Sequence, residues 1–249
     1  MWSNIMKDLL AIPATAKNET CVLVFSGGQD STTCLGVALE HFKHVHCITF
    51  SYGQTHGVEL HCARNIVSMY DHVEFEIIPI DTFQWLADSA LIRGAAQKDV
   101  NADHTGKPGL PASFVPNRNA TFLTIAHAYA QKVGADWLMT GVCETDYSGY
   151  PDCRRVFIQA LETALNLGSN SHIKILTPLM ELDKAETFHL AEEYGFLDTV
   201  LNYSHTCYNG KRDGEFHHEW GHGCGECPAC QLRKQGWEKF LNGENEIGA

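Results

Sequence analysis

A chain of 249 residues, 44% apolar and 19% charged, suits one α/β domain with a small appendage. Its formal charge of −12 repels phosphate backbones, so no nucleic-acid partner is expected and small molecules are favoured. With no apolar run near the roughly 18 residues of a membrane helix, no export signal and ten cysteines outside any disulfide framework, a soluble, reduced, cytoplasmic protein is expected, with no membrane partner.

Residues 1–20 read as an extension. Short apolar runs predict strands at 21–25, 45–50, 73–80, 137–142 and 173–179. Helical spacing intervenes: Leu35, Ala38, Leu39 and Phe42; then 56–70; then Phe122, Ile125, Ala126, Tyr129 and Val133, closing on Gly134. Phe157, Ala160, Leu161, Ala164 and Leu165 mark another helix, ending at Gly168, and Asp183 with Glu186 resembles a capping box opening a further one. Residues 81–116 lack periodicity and read as a long functional or mobile loop. Such alternation predicts a Rossmann-like, parallel five-stranded sheet with helices on both faces over 21–200, and a distinct C-terminal region over 201–243. Ligands in such folds bind beyond the carboxyl ends of the strands, here at loops 26–31, 51–54, 117–119 and 141–153.

The first of those loops reads Ser26-Gly27-Gly28-Gln29-Asp30-Ser31. Two glycines permit close backbone approach, and the following helix N-terminus suits a phosphate, with Ser26, Ser31 and Thr32 adding hydroxyl donors. Asp30 repels a phosphate, so it orients the loop or assists Mg²⁺. The loop is neither Walker A nor Gly-x-Gly-x-x-Gly, and two glycines alone would also serve a plain strand–helix turn.

Cys207 and the run Cys224-Gly-Glu-Cys227-Pro-Ala-Cys230 supply four thiolates, a complete tetrahedral set for structural Zn²⁺. An iron–sulfur cluster and a Cys227/Cys230 redox pair are the alternatives. His217, His218 and His222 between them are read as solvated loop residues.

Ser-Gly-Gly-x-Asp-Ser after an apolar strand resembles the pyrophosphate loop of the N-type ATP pyrophosphatases. Together with Phe114-Val-Pro-Asn-Arg-Asn119, residues 141–153, residues 177–187, Cys207-Tyr-Asn-Gly and residues 224–233, it resembles the 7-cyano-7-deazaguanine synthase family over about 21–240. That resemblance implies an ATP-dependent ligase of queuosine biosynthesis. It would convert 7-carboxy-7-deazaguanine and ammonia to the nitrile through adenylated carboxylate and amide, with ATP, Mg²⁺ and four-cysteine zinc, as a homodimer. The implied ATP loop is Phe25 and Ser26 to Ser31, with Thr32, Thr33, Cys34 and Leu35 opening the helix. Arg118 suits ATP phosphates or a surface ion pair, and Lys184 suits pyrophosphate or solvent. One of Glu144 and Asp146 would accept the N–H groups of the base's pyrimidine edge, and Tyr147, Tyr150 or Phe114 would stack on it. Arg154 or Arg155 would hold the substrate carboxylate, or a helix-face ion pair. Two departures from the family pattern stand out: the long, histidine-rich stretch 211–223, and Asn117 where glycine is usual. A tRNA thiolase would instead need a catalytic cysteine pair, for which Cys143 and Cys153 are the candidates, and a basic surface that the charge opposes.

Overall fold

A computed structural model describes residues 12–86, 89–95, 99–104, 109–145 and 150–243. Five strands form one sheet: β1 (Thr20–Val24), β2 (His44–Ser51), β3 (Val73–Pro79), β4 (Trp137–Thr140) and β5 (Lys174–Leu176). All neighbours are parallel and the order is β3-β2-β1-β4-β5, so the sheet reverses direction of growth between β1 and β4.

The longer helices are α1 (Gln29–His41), α2 (Val58–Val67), α3 (Arg118–Val133), α4 (Arg155–Ser169), α5 (Lys184–Glu193), α6 (Leu197–Tyr203) and α7 (Pro228–Asn242). They cover both sheet faces, and β1 shows how. Cys21 and Leu23 enter a core with Leu35, Val37, Ile66 and Phe188, whereas Val22 and Val24 enter the opposite core with Leu123, Ala126 and Ile158. A strand buried on both sides needs a continuous apolar run, and that run is why it was legible in sequence.

Two strands stop short of their expected ends. β4 ends at Thr140 because the chain then passes against α1: a Cβ on Gly141 would stand 3.1 Å from the Asp30 carbonyl carbon. β5 keeps three residues, and Pro178 just beyond it has no N–H to continue the ladder.

Local signals hold at the helix ends. Asn117, before α3, takes the left-handed conformation at φ 56°, which explains how asparagine serves where glycine is usual. Asp183 Oδ1 accepts from Glu186 N at 2.9 Å and Glu186 Oε2 from Asp183 N at 2.8 Å, completing the capping box of α5.

The aperiodic stretch after β3 is held by tertiary pairing. Ala90 N donates to Ala112 O and Ala112 N to Ala102 O, and Ala90, Leu91, Val100 and Ala112 pack with Cys207, Trp220, Cys227 and Cys230 in a third core. In the histidine-rich segment His217 is exposed as expected, but His218 and His222 are not plain solvated loop residues. The segment forms a hairpin, β6 (His217–His218) with β7 (Gly221–His222), in which the His222 ring lies between Arg212 O at 2.8 Å and Asn202 O at 3.0 Å, and His218 stacks on Trp220.

Candidate active site

A cleft of about 280 Å³ opens at the carboxyl ends of β1, β2 and β4, bounded by Val24, Phe50 and Thr140. One wall is the glycine loop. Gly27 has φ +78°, and a Cβ there would lie 2.6 Å from Ala63 N of α2, so no other residue fits without moving that helix. The loop also binds itself. Ser31 Oγ accepts from Ser26 N at 3.2 Å and donates to Gly28 O at 3.2 Å, while Ser26 Oγ accepts from Gly28 N at 3.2 Å. From outside, Thr49 Oγ1 donates to Phe25 O, and His205 N donates to Gly27 O at 2.9 Å.

Phe25, Ser26, Gly28, Gln29, Asp30 and Ser31 line the cleft; Gly27, Thr32, Thr33, Cys34 and Leu35 stand behind it. Thr33 Oγ1 bonds back to Gln29 O at 3.1 Å, and burial pushes the Cys34 thiol well above its usual range, so it is packing rather than a reactive group. Gln29 is 1% exposed, yet neither atom of its amide has a partner among the described residues. A buried, unpartnered amide in the wall of a cleft costs stability unless a ligand meets it. That orphan and the Gly27 cradle fit a nucleotide's phosphates.

Lys184, at the first position of α5, is buried and grips Asp30 with Nζ 2.7 and 2.8 Å from the two carboxylate oxygens. Asp30 and Lys184 therefore form a unit on the cleft wall, and Asp30 orients the cation. Gly236 of α7 makes this possible, since a Cβ there would meet Lys184 Cβ at 2.3 Å.

The facing wall carries Tyr52, Glu59, Arg118, Phe122, Tyr150 and Tyr208. Arg118 lies 5.7 Å from the centre of the Tyr150 ring, a cation–π contact. Burial pushes the Tyr52 hydroxyl up to about 12 and the Glu59 carboxyl up to about 7, the latter against the pull of Arg118. Cys143 and Cys153 also line the cleft, with Cys153 Sγ accepting from Asn119 Nδ2 at 3.2 Å.

Other expected substrate residues fall elsewhere. Glu144 is exposed and does not line the cleft; its Oε2 accepts from Arg155 N at 3.1 Å, capping α4. Arg154 is exposed at the N-cap of α4, Arg155 pairs with Glu181 at 2.7 Å, and Phe114 is buried in the core beneath. Asp146 and Tyr147 lie outside the described residues. Glu59, Tyr52, His205, Thr206 and Tyr208 were missed. The last three lie in Ser204-His-Thr-Cys207-Tyr208, where the metal-ligating cysteine and the family motif that begins at it are the only local signals.

Beside the cleft, the Sγ atoms of Cys207, Cys224, Cys227 and Cys230 all lie within 4.8 Å of one another. Four thiolates about 2.3 Å from one ion stand roughly this close, so the donor set fits a tetrahedral metal. Hydrogen bonding within the cluster lowers the Cys207 thiol and raises those of Cys227 and Cys230, so without a cation the crowded thiols do not all ionise together. Cys224 Sγ accepts from Asn209 Nδ2 at 3.4 Å and Cys227 N at 3.3 Å, an outer shell suited to a thiolate. Among the described residues no histidine joins this group.

Comparison with known proteins decides between ligase and thiolase. The family model described as Queuosine biosynthesis protein QueC matches residues 20–241. The chain belongs to that family. Curated relatives agree: the 7-cyano-7-deazaguanine synthase of Wolinella succinogenes is 53% identical over 92% of this chain and 96% of its own length. That of Helicobacter pylori strain Shi470 is 50% identical over 90% and 97%. In fold, the QueC-family chain is similar to the U34-tRNA thiolase NcsA from Methanococcus maripaludis with its [4Fe-4S] cluster. The TM-score is 0.50 at 16% identity, covering 97% of this chain and 73% of that one. The fold is thus shared beyond the family. Among the described residues no helix is long and apolar enough to cross a membrane.

Proposed function

We propose that this chain is a 7-cyano-7-deazaguanine synthase, joining 7-carboxy-7-deazaguanine and ammonia at the expense of ATP. The observation that carries the reading is the self-braced loop Ser26–Ser31 in the cleft wall of a chain whose family and relatives bear that activity.

The chemistry follows from what the two walls offer. A carboxylate oxygen attacks the α-phosphorus of ATP, and pyrophosphate leaves with the electron pair. Ammonia then attacks the activated carbonyl carbon, AMP departs and a proton is lost, leaving the amide. The amide oxygen attacks a second ATP in the same way, and loss of AMP with both nitrogen protons gives the nitrile. Nothing here needs a protein nucleophile; charge stabilisation and positioning suffice. Ser26, Ser31 and the first turn of α1 receive the departing diphosphate, and Lys184, aimed by Asp30, neutralises it. Mg²⁺ would screen charge on the phosphates.

Arg118 is the cation for the substrate carboxylate, and Tyr52, Phe122 and Tyr150 are the stacking surface. Glu59, lining the cleft, is better placed than Glu144 or Arg154 to meet the base; Asp146 and Tyr147 keep the roles expected of them. Zinc is the metal we assign to the four cysteines, because four thiolates complete its coordination. That none of the ten cysteines is joined in a disulfide supports a reducing, cytoplasmic setting. The family resemblance supports a homodimer.

Incubation with 7-carboxy-7-deazaguanine, ammonium and MgATP, followed by mass spectrometry, tests the reading. The expected outcome is nitrile with two AMP and two pyrophosphate per product. The absence of both nitrile and ATP consumption would refute it.

A further inference from the structure

The metal-bearing segment does more than pack beside the cleft, because it places one hydroxyl in the cleft wall under unusual constraint. Thr206 precedes the metal ligand Cys207 and lines the cleft. Its Oγ1 accepts from Gln29 N of the loop at 3.3 Å and from Arg233 Nη1 at 3.1 Å. A hydroxyl has two lone pairs and one proton. Both lone pairs are engaged, so its proton must be donated, and among the described residues no acceptor receives it. The open direction is the cleft, beside the loop: a Cβ on Gly28 would stand 3.3 Å from Ser26 Oγ and 4.0 Å from Thr206 Oγ1.

Arg233 sharpens the point. It is fully buried on α7, three residues after Cys230, and its other bonds go to neutral acceptors: Trp220 O at 2.8 Å, Val200 O at 2.7 Å and Ser204 Oγ at 3.0 Å. No carboxylate among the described residues forms an ion pair with it. Burial lowers its pKa to about 10, which still leaves it charged at neutral pH. Cys230 and Asp30 act on it without a direct ion pair, and the cost of a buried cation so weakly matched falls when an anion arrives nearby. Its position is held tightly, since a Cβ on Gly221 would meet Nη2 at 2.3 Å. The positive charge therefore reaches the cleft through a single hydroxyl, which it polarises as a donor.

We propose that Thr206 is a further catalytic residue, donating its hydroxyl proton in a hydrogen bond to the pyrophosphate leaving group, and that Arg233 is the positioning residue that orients and polarises it. The proposal rests on the ligase reading above for the identity of the anion. No proton is transferred; the bond strengthens as negative charge gathers on the bridging and terminal oxygens. The arrangement gives the cysteine cluster a part in catalysis at one remove. A metal held by Cys207 and Cys230 would fix the residues on which this donor hangs.

Thr206→Val, which keeps the side-chain volume and removes the hydroxyl, tests this beside Thr206→Ser, which keeps it. The Val variant should carry the parental metal content and lose roughly 10- to 100-fold in kcat. Inhibition by inorganic pyrophosphate should weaken about tenfold, while inhibition by AMP is unchanged. The Ser variant should behave as the parent, and Arg233→Lys should weaken pyrophosphate binding in the same selective way. Should Val prevent folding, Thr206→Ala asks the same question with the same readouts. The proposal is overturned by parental turnover and pyrophosphate binding in the variant without the hydroxyl, by equal loss of AMP and pyrophosphate binding, or by a Ser variant as poor as Val. Calorimetric pyrophosphate binding separates this idea from the ligase reading. A parent that binds pyrophosphate through Thr206 yet makes no nitrile refutes the reaction and leaves the donor assignment standing.

Discussion

The two walls of the cleft are built in opposite ways. The loop wall is six consecutive residues braced by bonds among Ser26, Gly28 and Ser31, its shape set by Gly27 at φ +78° against Ala63. The facing wall gathers Tyr52, Glu59, Arg118, Tyr150 and Tyr208, one or two from each of four distant stretches of chain. A phosphate needs only amides, hydroxyls and a cation, which a short loop can carry. A planar heterocycle needs a surface shaped on several sides, which no single segment supplies.

If the walls divide labour in this way, variants on each should separate in kinetics. Lys184→Ala removes the cation from the loop wall and leaves Asp30 without this partner. We expect kcat to fall roughly 100- to 1,000-fold while KM for the deazapurine is unchanged, read in steady-state assays with both substrates varied. Comparable rises in both KM values instead would mean that the walls are not separate. Glu59→Gln is the counterpart on the facing wall, with an expected rise of about tenfold in KM for the deazapurine and little change in KM for ATP.

Metal removal falls between these. A thiol-competent chelator should release about one zinc per chain, lower Tm by several degrees and abolish pyrophosphate inhibition before the sheet unfolds. Circular dichroism and metal analysis on the same samples check this. A brown protein that loses iron instead would replace zinc by a cluster.

The smallest effect is a pH dependence. Glu59 is raised by burial to about 7 from an ordinary value near 4.5, so the folded state resists its ionisation. That penalty is absent below the unfolded pKa, grows between about 4.5 and 7, and is fully present above. Glu59→Gln should therefore raise Tm at pH 8 and leave it near the parental value at pH 4. A uniform shift at both would assign the change to packing.

The same contrast explains how much could be read from the sequence. The parallel sheet and its helices were legible because strands buried on both faces demand unbroken apolar runs, as at β1. The loop was legible because its determinants are adjacent. Glu59 was not, since a glutamate in the first turn of a helix has many ordinary reasons to be there. Glu144 misled for a related cause: proximity in sequence to the end of β4 suggested the cleft, but its carboxylate caps α4 instead. Ala90, Leu91, Val100 and Ala112 of the aperiodic stretch pack against Cys207, Trp220, Cys227 and Cys230, distant contacts that no local pattern encodes.

The measurement that bears most directly on the loop is substrate-dependent exchange of labelled pyrophosphate into ATP by the parent and by Gly27→Val. The parent should exchange rapidly once 7-carboxy-7-deazaguanine is present, and the variant, folded and metal-loaded, should not. Equal exchange by both would mean that pyrophosphate leaves from somewhere other than this loop.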